Sequence, residues 1–407
     1  MAGHVHQAFA PVADVFHQQI ESGQEVGAGL TVYYRGECVV DLWGGMADRQ
    51  SQRPWDEHTR IVVFSVTKGL AAMAMHLLVD RGLAEWDAPV ARWWPEFGAM
   101  GRESITLRQL MNHQAGLAAL DTPITLLDCA ARNDPDARAR VTNALLQQRP
   151  AWEPGTSQGY HALTYGLYVN EVFERIAGED MGTFLHREWL DPVGSDARLG
   201  TGPELDAQLA TLYPPTAPER LGNMLRVAMR SADTPDGRLA RDIVRRDSLT
   251  RRAFFNPSLP GRDVTAYNRA PAVRAVLPWA SATSTARGIA RAYLPLAHGG
   301  TWDGHTFLSP DTIAPILQRQ GWSERDRVLH KPIGWSQGFV KEEATTFSPV
   351  QSSFGHPGLG GALGWCDPEN QLTIGYVMNR MDWRIRSPRA VALCQALYRC
   401  APLARGR

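Results

Sequence analysis

A serine and a lysine stand three residues apart at the start of an apolar run, in residues 64–70 (Phe-Ser-Val-Thr-Lys-Gly-Leu). Lys68 is one of only three lysines among the 42 basic residues, and the other 39 are arginines. A desolvated lysine amine can release its proton and act as a base, whereas an arginine guanidinium keeps its proton in a protein. The use of lysine at this position therefore indicates acid–base chemistry.

The spacing of Ser65 and Lys68 fits a nucleophile and its base. Residues three apart on a helix lie on the same face, so the amine can reach the hydroxyl. Burial lowers the pKa of the amine toward neutrality, and a helix N-terminus favours the negative charge that develops on the oxygen. Taken alone, the pair has a second interpretation, in which Ser65 caps the helix and Lys68 extends to solvent. Neither Lys331 nor Lys341 has a serine three residues before it, so the pair occurs once.

The elements around this pair can be read from the hydrophobic pattern. Residues 65–81 are apolar nearly all round, which predicts a helix buried on most sides, with Ser65 at its N-terminal end. Apolar residues alternate on both sides of residues 35–37 (Arg-Gly-Glu), which predicts a hairpin. Val12, Phe16 and Ile20 predict an amphipathic helix near the N-terminus, and His4 and His6 are expected at a frayed end.

Strand patterns return after residue 350. Residues 361–366 and 371–378 predict two strands around a turn, followed by a helix with Ser387 as its cap and Pro388 at its first position. Strands at both ends of the chain predict one antiparallel sheet that both termini build.

The region from about residue 105 to about residue 255 lacks strand alternation and contains helical runs such as 138–148 and 163–177. We therefore predict an α+β fold, an α/β sandwich with a mostly helical inserted domain. Residues 1–105 and 275–407 would form the sheet domain and residues 106–274 the helical domain, with the active site between them. Residues 203–270 are rich in proline and charge and are interpreted as a variable lid or loop region.

Composition argues against several classes of partner. Lys+Arg and Asp+Glu balance at 42 each in the 407 residues, so no basic field for nucleic acid or an anionic membrane is present. No apolar stretch reaches the length of a membrane span. Five scattered cysteines without a Cys-x-x-Cys pair indicate free thiols rather than disulfides or zinc. We expect a cytoplasmic protein, because no secretion signal is visible.

The order of motifs along the chain carries a family resemblance. Ser-x-x-Lys and its apolar helix are followed by residues 86–90 (Trp-Asp-Ala-Pro-Val) and 110–117 (Leu-Met-Asn-His-Gln-Ala-Gly-Leu). This series resembles the serine β-lactamase and penicillin-binding-protein superfamily. The chain is most similar to its esterase branch, the family VIII carboxylesterases, and in general pattern to class C β-lactamases. The likeness covers roughly residues 28–180 and 278–380 and implies a β-lactamase-like fold.

A tyrosine follows a loop in residues 152–162 (Trp-Glu-Pro-Gly-Thr-Ser-Gln-Gly-Tyr-His-Ala). The resemblance implies that Tyr160 is the family's tyrosine that shares a proton with the lysine. A phenol beside an ammonium can be deprotonated near neutral pH and can relay a proton from the serine to the leaving group. Ala162 stands where the family often has asparagine or serine, so one polar contact to β-lactam side chains is absent.

Residues 355–361 (Gly-His-Pro-Gly-Leu-Gly-Gly) resemble the strand motif that is Lys-Thr-Gly in β-lactamases. The resemblance implies that His356, Gly358 and Leu359 bind substrate, and that the N–H groups of Leu359 and Ser65 form an oxyanion hole. His356 replaces a fixed lysine and is largely uncharged at neutral pH, which weakens a clamp for a substrate carboxylate. This difference disfavours β-lactams and D-Ala-D-Ala peptides and favours neutral esters.

Two other motifs have simpler interpretations. Residues 155–159 satisfy the Gly-x-Ser-x-Gly pattern of α/β-hydrolases, with Ser157 as nucleophile, but no strand leads into them. We interpret them as the loop that positions Tyr160. His113 belongs to a family-like Leu-x-x-His segment, and we expect it to bond loop backbone near the site.

The sequence thus predicts a serine hydrolase that cleaves small to medium acyl esters through an acyl-enzyme, with Ser65, Lys68 and Tyr160 as catalytic residues. The same centre also fits a β-lactamase, a D-amino-acid peptidase or an acyltransferase, and a non-catalytic binding protein with this fold is a further alternative. We expect a small-molecule ester substrate, no metal, no other cofactor, and no nucleic-acid or membrane partner. The oligomeric state stays open, as does the choice of Lys68 or Tyr160 as the acylation base.

Overall fold

An antiparallel sheet to which both ends of the chain contribute forms the centre of the molecule. The computed structural model describes residues 1–216, 218–219, 222, 234–341, 346–382, 384 and 386–404. The strands in these residues are β1 Ala2–Val5, β2 Gly27–Tyr34, β3 Glu37–Asp48, β4 Arg53–Pro54, β5 Ile61–Val62, β6 Thr283–Ser284, β7 Thr301–Trp302, β8 His305–Thr306, β9 Gly321–Ser323, β10 Ile333–Ser336, β11 Phe339–Lys341, β12 Phe354–Pro357, β13 Leu363–Asp367 and β14 Leu372–Met378. The large sheet has the order β1-β3-β2-β14-β13-β12-β11-β10-β9, and β4 pairs with β3.

Both hairpins expected from the sequence are present. Strands β2 and β3 pair around a turn in which Arg35 and Gly36 have positive φ angles. Strands β13 and β14 pair in the same way. In addition, β14 lies beside β2, with Met378 opposite Ala28, so strands from the two ends of the chain meet in the middle of the sheet. The predicted α+β fold class, with a sheet built from both chain ends, is confirmed.

The N-terminal residues belong to this sheet, and the expected frayed end at His4 and His6 is wrong. Ala2–Val5 pairs along β3, with His4 opposite Asp41. The ring of His4 also contacts the carbonyl oxygen of Cys38 at 2.9 Å. The strand is largely exposed, so backbone hydrogen bonds hold it without a buried apolar face. Such an edge strand leaves no hydrophobic pattern in the sequence.

Helices cover the sheet and form most of the middle of the chain. Their bounds in the described residues are α1 Ala10–Glu21, α2 Val66–Asp80, α3 Leu107–Met111, α4 Leu126–Ala130, α5 Pro135–Gln147, α6 Thr164–Ala177, α7 Met181–Leu185, α8 Pro235–Val244, α9 Leu249–Phe255, α10 Ala286–Ala292, α11 Leu294–Ala297, α12 Pro310–Ile316, α13 Pro388–Tyr398 and α14 Ala401–Ala404. Helix α1 packs against α13, and α10 packs on β2 and β14. A helix long and apolar enough to cross a membrane is not found among these described segments.

Helix α2 is the buried helix expected over residues 65–81. Every residue from Val66 to Leu78 is buried, because α2 packs against α6, α7 and strand β12. This complete burial takes Lys68 out of water. The predicted C-terminal helix is also present, with the Ser387 side chain accepting a hydrogen bond from the Arg389 backbone and Pro388 at the first helical position.

The middle of the chain carries helices α3 to α9, and the expected runs 138–148 and 163–177 correspond to α5 and α6. The division into a sheet domain and a helical domain at residues 105 and 275 stays a prediction. The expected lid or loop region at 203–270 lies partly outside the described residues. Its described part contains two α-helices, α8 and α9, and three short 3-10 helices.

Candidate active site

Ser65 lies at the junction between the short strand β5 and helix α2. Its side chain is partly exposed, although Phe64 and Val66 on either side are buried. Phe64 has a φ angle of 47°, a left-handed conformation that bulky residues rarely adopt. The Ser65 hydroxyl makes no capping hydrogen bond to the helix. The interpretation of Ser65 as a simple helix cap therefore does not hold.

Lys68 directs its amine toward Ser65 from inside the protein. Its Nζ lies 3.1 Å from Ser65 Oγ, 2.8 Å from the carbonyl oxygen of Ala162 and 3.2 Å from that of Trp279. The side chain is fully buried, so it does not extend to solvent. This burial holds the pKa of Lys68 well below the usual lysine range. A lowered pKa makes the uncharged amine accessible near neutral pH.

Tyr160 reaches the same hydroxyl from the loop that precedes α6. Its phenol donates a hydrogen bond to Ser65 Oγ at 2.9 Å. The ring stacks on Trp335, with centroids 5.9 Å apart and planes at 11°. The structure thus brings together the three side chains predicted as catalytic, and both Lys68 and Tyr160 are within hydrogen-bond distance of Ser65.

The burial of Tyr160 affects the pKa of its phenol. Burial raises the pKa of the phenol, and the nearby carboxylate of Asp326 raises it further. This raised pKa favours the protonated phenol, which donates to Ser65 Oγ. Burial also lowers the pKa of the neighbouring Lys68 amine.

His356 lies on β12, but its ring is 2% exposed. The Nδ1 atom lies 2.8 Å from the carbonyl oxygen of Pro357, and the ring centroid is 6.3 Å from that of Tyr160. Burial lowers the pKa of His356 to about 3, with a smaller contribution from Lys68. The ring is thus uncharged at neutral pH and gives no cation for a substrate carboxylate.

The turn after β12 brings a second backbone segment beside the nucleophile. A Cβ atom on Gly358 would lie 2.4 Å from the carbonyl oxygen of Val63, so the two segments approach closely only because this residue is glycine. The N–H of Gly358 donates to the carbonyl oxygen of Ala362. By contrast, the N–H groups of Ser65 and Leu359 donate to no residue in the described part of the chain. They are the two donors expected for an oxyanion hole.

His113 supports the loop that carries Tyr160, as expected. Its Nδ1 accepts a hydrogen bond from the His161 backbone at 3.0 Å, and its carbonyl oxygen accepts one from Gly159 at 3.1 Å. Ser157 lies in the same loop, where its hydroxyl accepts a hydrogen bond from Arg327 at 2.7 Å. The residues around Ser157 form turns, without the strand and elbow that an α/β-hydrolase nucleophile needs.

Three side chains around the centre were not identified from the sequence. Trp335 stacks on Tyr160, Phe254 lies with its ring centroid 6.4 Å from that of Tyr160, and Asp326 accepts a hydrogen bond from the Tyr160 backbone. They come from distant segments, so no local pattern could reveal them. A group of three or more His, Cys, Asp or Glu side chains able to hold a metal ion does not occur among the described residues.

An antiparallel sheet with this strand order, and a buried Ser-x-x-Lys helix facing a tyrosine loop, define the class of esterase/β-lactamase-like serine hydrolases. The chain belongs to the beta-lactamase family, whose profile matches residues 12–396. The resemblance stated from the sequence motifs is confirmed.

Three proteins with similar sequence identity to this chain carry names from different branches of the superfamily. The chain is 33% identical over 376 residues to the esterase/beta-lactamase LipL of Mycobacterium tuberculosis, covering 92% of this chain and 81% of LipL. It is similar to the crystal structure of a family VIII carboxylesterase, with a TM-score of 0.83 at 33% identity, covering 98% of this chain and 99% of that one. A penicillin-binding protein homologue from Caulobacter crescentus has a TM-score of 0.82 at 32% identity, covering 98% of both chains.

Proposed function

We propose that this chain is a serine carboxylesterase that works through an acyl-enzyme intermediate. The observation that carries the proposal is the convergence of two proton-transfer groups on one hydroxyl. Lys68 Nζ and Tyr160 Oη lie 3.1 Å and 2.9 Å from Ser65 Oγ. A nucleophile within hydrogen-bond reach of a base is the arrangement that covalent catalysis requires.

In the proposed acylation, Lys68 is the base. A neutral amine has two N–H groups and one lone pair, and the carbonyl oxygens of Ala162 and Trp279 accept the two N–H groups. The lone pair then faces the Ser65 hydroxyl. Oγ forms a bond to the ester carbonyl carbon while its proton passes to the amine. The N–H groups of Ser65 and Leu359 stabilise the oxyanion.

The tetrahedral intermediate then collapses to the acyl-enzyme, and water hydrolyses the acyl-enzyme. The bond between the carbonyl carbon and the alcohol oxygen breaks, and the leaving oxygen takes the proton held by Lys68, relayed through the phenol of Tyr160. A water molecule attacks the acyl-enzyme and gives a proton to the Lys68 amine. The bond to Oγ breaks, Oγ recovers this proton, and the carboxylic acid leaves.

The proposed substrates are uncharged esters of small to medium acids. The uncharged His356 and the methyl side chain of Ala162 give no ionic or amide contact to a substrate carboxylate or β-lactam side chain. β-Lactam hydrolysis is the second candidate, because the relative LipL carries the name esterase/beta-lactamase. The acyltransferase alternative shares every step except the acceptor of the acyl group.

Labelling with a fluorophosphonate tests the nucleophile. We expect one adduct, on the peptide that contains Ser65, and none in Ser65→Ala; Ser157→Ala serves as the matched control and keeps the label. An adduct on Ser157 with Ser65 unmodified contradicts the proposed mechanism. Complete absence of labelling in the folded protein supports the non-catalytic alternative.

Parallel assays separate the substrates. We expect rapid turnover of p-nitrophenyl acetate and butyrate and little turnover of a chromogenic cephalosporin. A cephalosporin kcat/KM equal to that of the esters would favour the β-lactamase. Product analysis with added methanol separates transfer from hydrolysis, since an acyltransferase would form methyl ester in excess of the free acid.

A further inference from the structure

Asp326 is a buried carboxylate that binds the backbone of two separate segments. It lies in the loop between β9 and β10 and is fully buried. Its Oδ1 accepts hydrogen bonds from the N–H groups of Val328 and Leu329, each at 2.8 Å, within its own loop. The same oxygen accepts a third hydrogen bond from the N–H of Tyr160, at 3.1 Å.

In the part of the chain that the structure describes, this carboxylate lacks the partners that usually accompany a buried charge. The second oxygen, Oδ2, is buried and has no hydrogen-bond partner among the described residues. No described basic side chain forms an ion pair with it, and burial raises its pKa to about 6. A buried carboxylate without a cation is costly, and a serine or asparagine can hold a turn without a charge. Among the described residues, Tyr160 is the partner of this carboxylate that lies outside the loop.

Hydrogen bonds to other segments fix the backbone around Tyr160. Tyr160 belongs to neither a helix nor a strand, so no regular ladder of hydrogen bonds fixes its main chain. Three successive backbone N–H groups instead donate hydrogen bonds to other segments. Those of Gly159 and His161 donate to the carbonyl oxygen and the ring of His113, respectively. The N–H of Tyr160, between them, donates to Asp326. The central contact is made by Asp326.

We propose that Asp326 is a positioning residue, which holds the main chain of Tyr160 so that the phenol reaches Ser65 Oγ. The inference rests on the proposed function, in which Tyr160 relays a proton. The carboxylate charge also acts on the phenol, because it favours the protonated form that donates to Ser65. Asp326 touches no reacting atom and acts through Tyr160.

The loop that carries Asp326 is itself fastened to helices α8 and α9. Thr250 Oγ1 donates to the carbonyl oxygen of Val328 at 2.9 Å. His330 Nε2 lies 2.8 Å from Asp242, and Lys331 Nζ lies 3.0 Å from Asp236. The loop that carries the carboxylate is therefore held in place by these contacts, as a positioning group requires.

Three variants test the role of Asp326 with a p-nitrophenyl ester. Asp326→Ala removes the acceptor, and we expect kcat per folded molecule to fall by about 10- to 100-fold with KM within about threefold, since a displaced catalytic group slows chemistry more than binding. Asp326→Asn keeps an acceptor oxygen for the Tyr160 N–H, and we expect it to recover most of the lost kcat. If Asp326→Ala is not folded, Asp326→Leu, which also lacks an acceptor and has nearly the size of aspartate, replaces it in every comparison.

A double-mutant comparison separates this inference from the proposed function. In a Tyr160→Phe background the phenol is gone, so we expect Asp326→Ala to change kcat by less than about twofold. A Tyr160→Phe enzyme with wild-type kcat would overturn the proposed function. An impaired Tyr160→Phe enzyme in which Asp326→Ala still gives its full loss would overturn the positioning role alone.

Asp367 offers a matched control for burial. Its side chain is also fully buried, burial raises its pKa, and it accepts a hydrogen bond from Tyr398 at the far end of β13. We expect Asp367→Ala to lower stability and to leave kcat per folded molecule within about twofold of wild type. A fall in kcat as large as that of Asp326→Ala would mean that any buried carboxylate has this effect, and would overturn the proposal.

Discussion

The amine of Lys68 lies 3.1 Å from the hydroxyl oxygen of Ser65, one turn along the same helix. Every residue of α2 from Val66 to Leu78 is buried, so the amine is shielded from bulk water. Its contacts are the Ser65 hydroxyl and two backbone carbonyls, none of which carries a full negative charge. The same apolar helix that positions the lysine therefore also lowers its pKa.

This relationship predicts that arginine cannot replace Lys68. We expect Lys68→Arg to lower kcat/KM for p-nitrophenyl acetate by about 10²- to 10⁴-fold, because the guanidinium keeps its proton and cannot act as a base. Lys68→Met, which keeps an unbranched side chain of similar length, should lose as much activity while staying folded. Steady-state kinetics with circular dichroism checks both variants. A Lys68→Arg enzyme with more than about a tenth of wild-type activity would exclude the lysine as base.

The pH dependence of activity follows from the lowered pKa of Lys68. Activity requires the neutral amine, so kcat/KM should rise with pH through the pKa of Lys68 in the free enzyme and then become constant. Because burial lowers this pKa, the plateau should begin well below the ordinary lysine range. The measurement is kcat/KM for an ester from about pH 5 to about pH 9, corrected for ionisation of the product. A kcat/KM that still rises tenfold per pH unit at the upper end of this pH range would mean that the Lys68 amine has the ordinary pKa of a lysine.

The sequence predicted the parts of the fold that have a local pattern. Helix α2, the hairpin of β2 and β3 and the C-terminal helix all follow from hydrophobic period and capping residues. Strand β1 was missed because it is an exposed edge, held by its backbone. The Ser-x-x-Lys pair and Tyr160 were identifiable because they occur in motifs along the chain.

The surroundings of the centre could not be predicted in the same way. Asp326 stands in the charged run Ser-Glu-Arg-Asp-Arg, and nothing local separates it from Glu324, which is exposed. Its burial depends on how the loop after β9 packs against the loop of Tyr160, 166 positions away. The desolvation that raises the pKa of Tyr160 also depends on the packing of Trp335 and other distant residues.

Phe254 is expected to contribute to substrate preference. Its ring lies 6.4 Å from that of Tyr160 and is partly exposed, so it forms part of the apolar surface beside the centre. We expect Phe254→Ala to change the ratio of kcat/KM for p-nitrophenyl butyrate to that for acetate by about threefold or more, because a longer acyl chain loses more apolar contact. The expected direction is toward acetate.

Phe255 provides the matched control on the same helix. It is 46% exposed and lies under the guanidinium of Arg251. Phe255→Ala removes the same ring, and we expect its ratio of butyrate to acetate activity to stay at the wild-type value. Equal ratios in the Phe254 and Phe255 variants would assign the apolar contact to another part of the site.

Arg389 anchors the backbone next to the Leu359 N–H from inside the protein. Its Nη2 donates to the carbonyl oxygen of Gly360 at 2.9 Å, and its Nη1 lies 2.6 Å from the buried carboxylate of Glu25. Burial raises the pKa of Glu25 to about 7, although Arg389 opposes this shift. The pair is thus a buried ionic contact in which each partner limits the cost of burying the other.

Removing one partner of this pair should destabilise the protein more than removing both charges. We expect Arg389→Met to lower the free energy of unfolding by about 3–5 kcal/mol at neutral pH, because the buried Glu25 carboxyl must then either stay charged without this cation or take up a proton. The Glu25→Gln/Arg389→Met double variant should recover part of this loss, since no buried charge remains. Both should lower kcat, because Gly360 loses its anchor beside the oxyanion donor. Urea denaturation and ester kinetics measure the two effects; a double variant less stable than Arg389→Met would contradict the assignment of the loss to an unpaired charge.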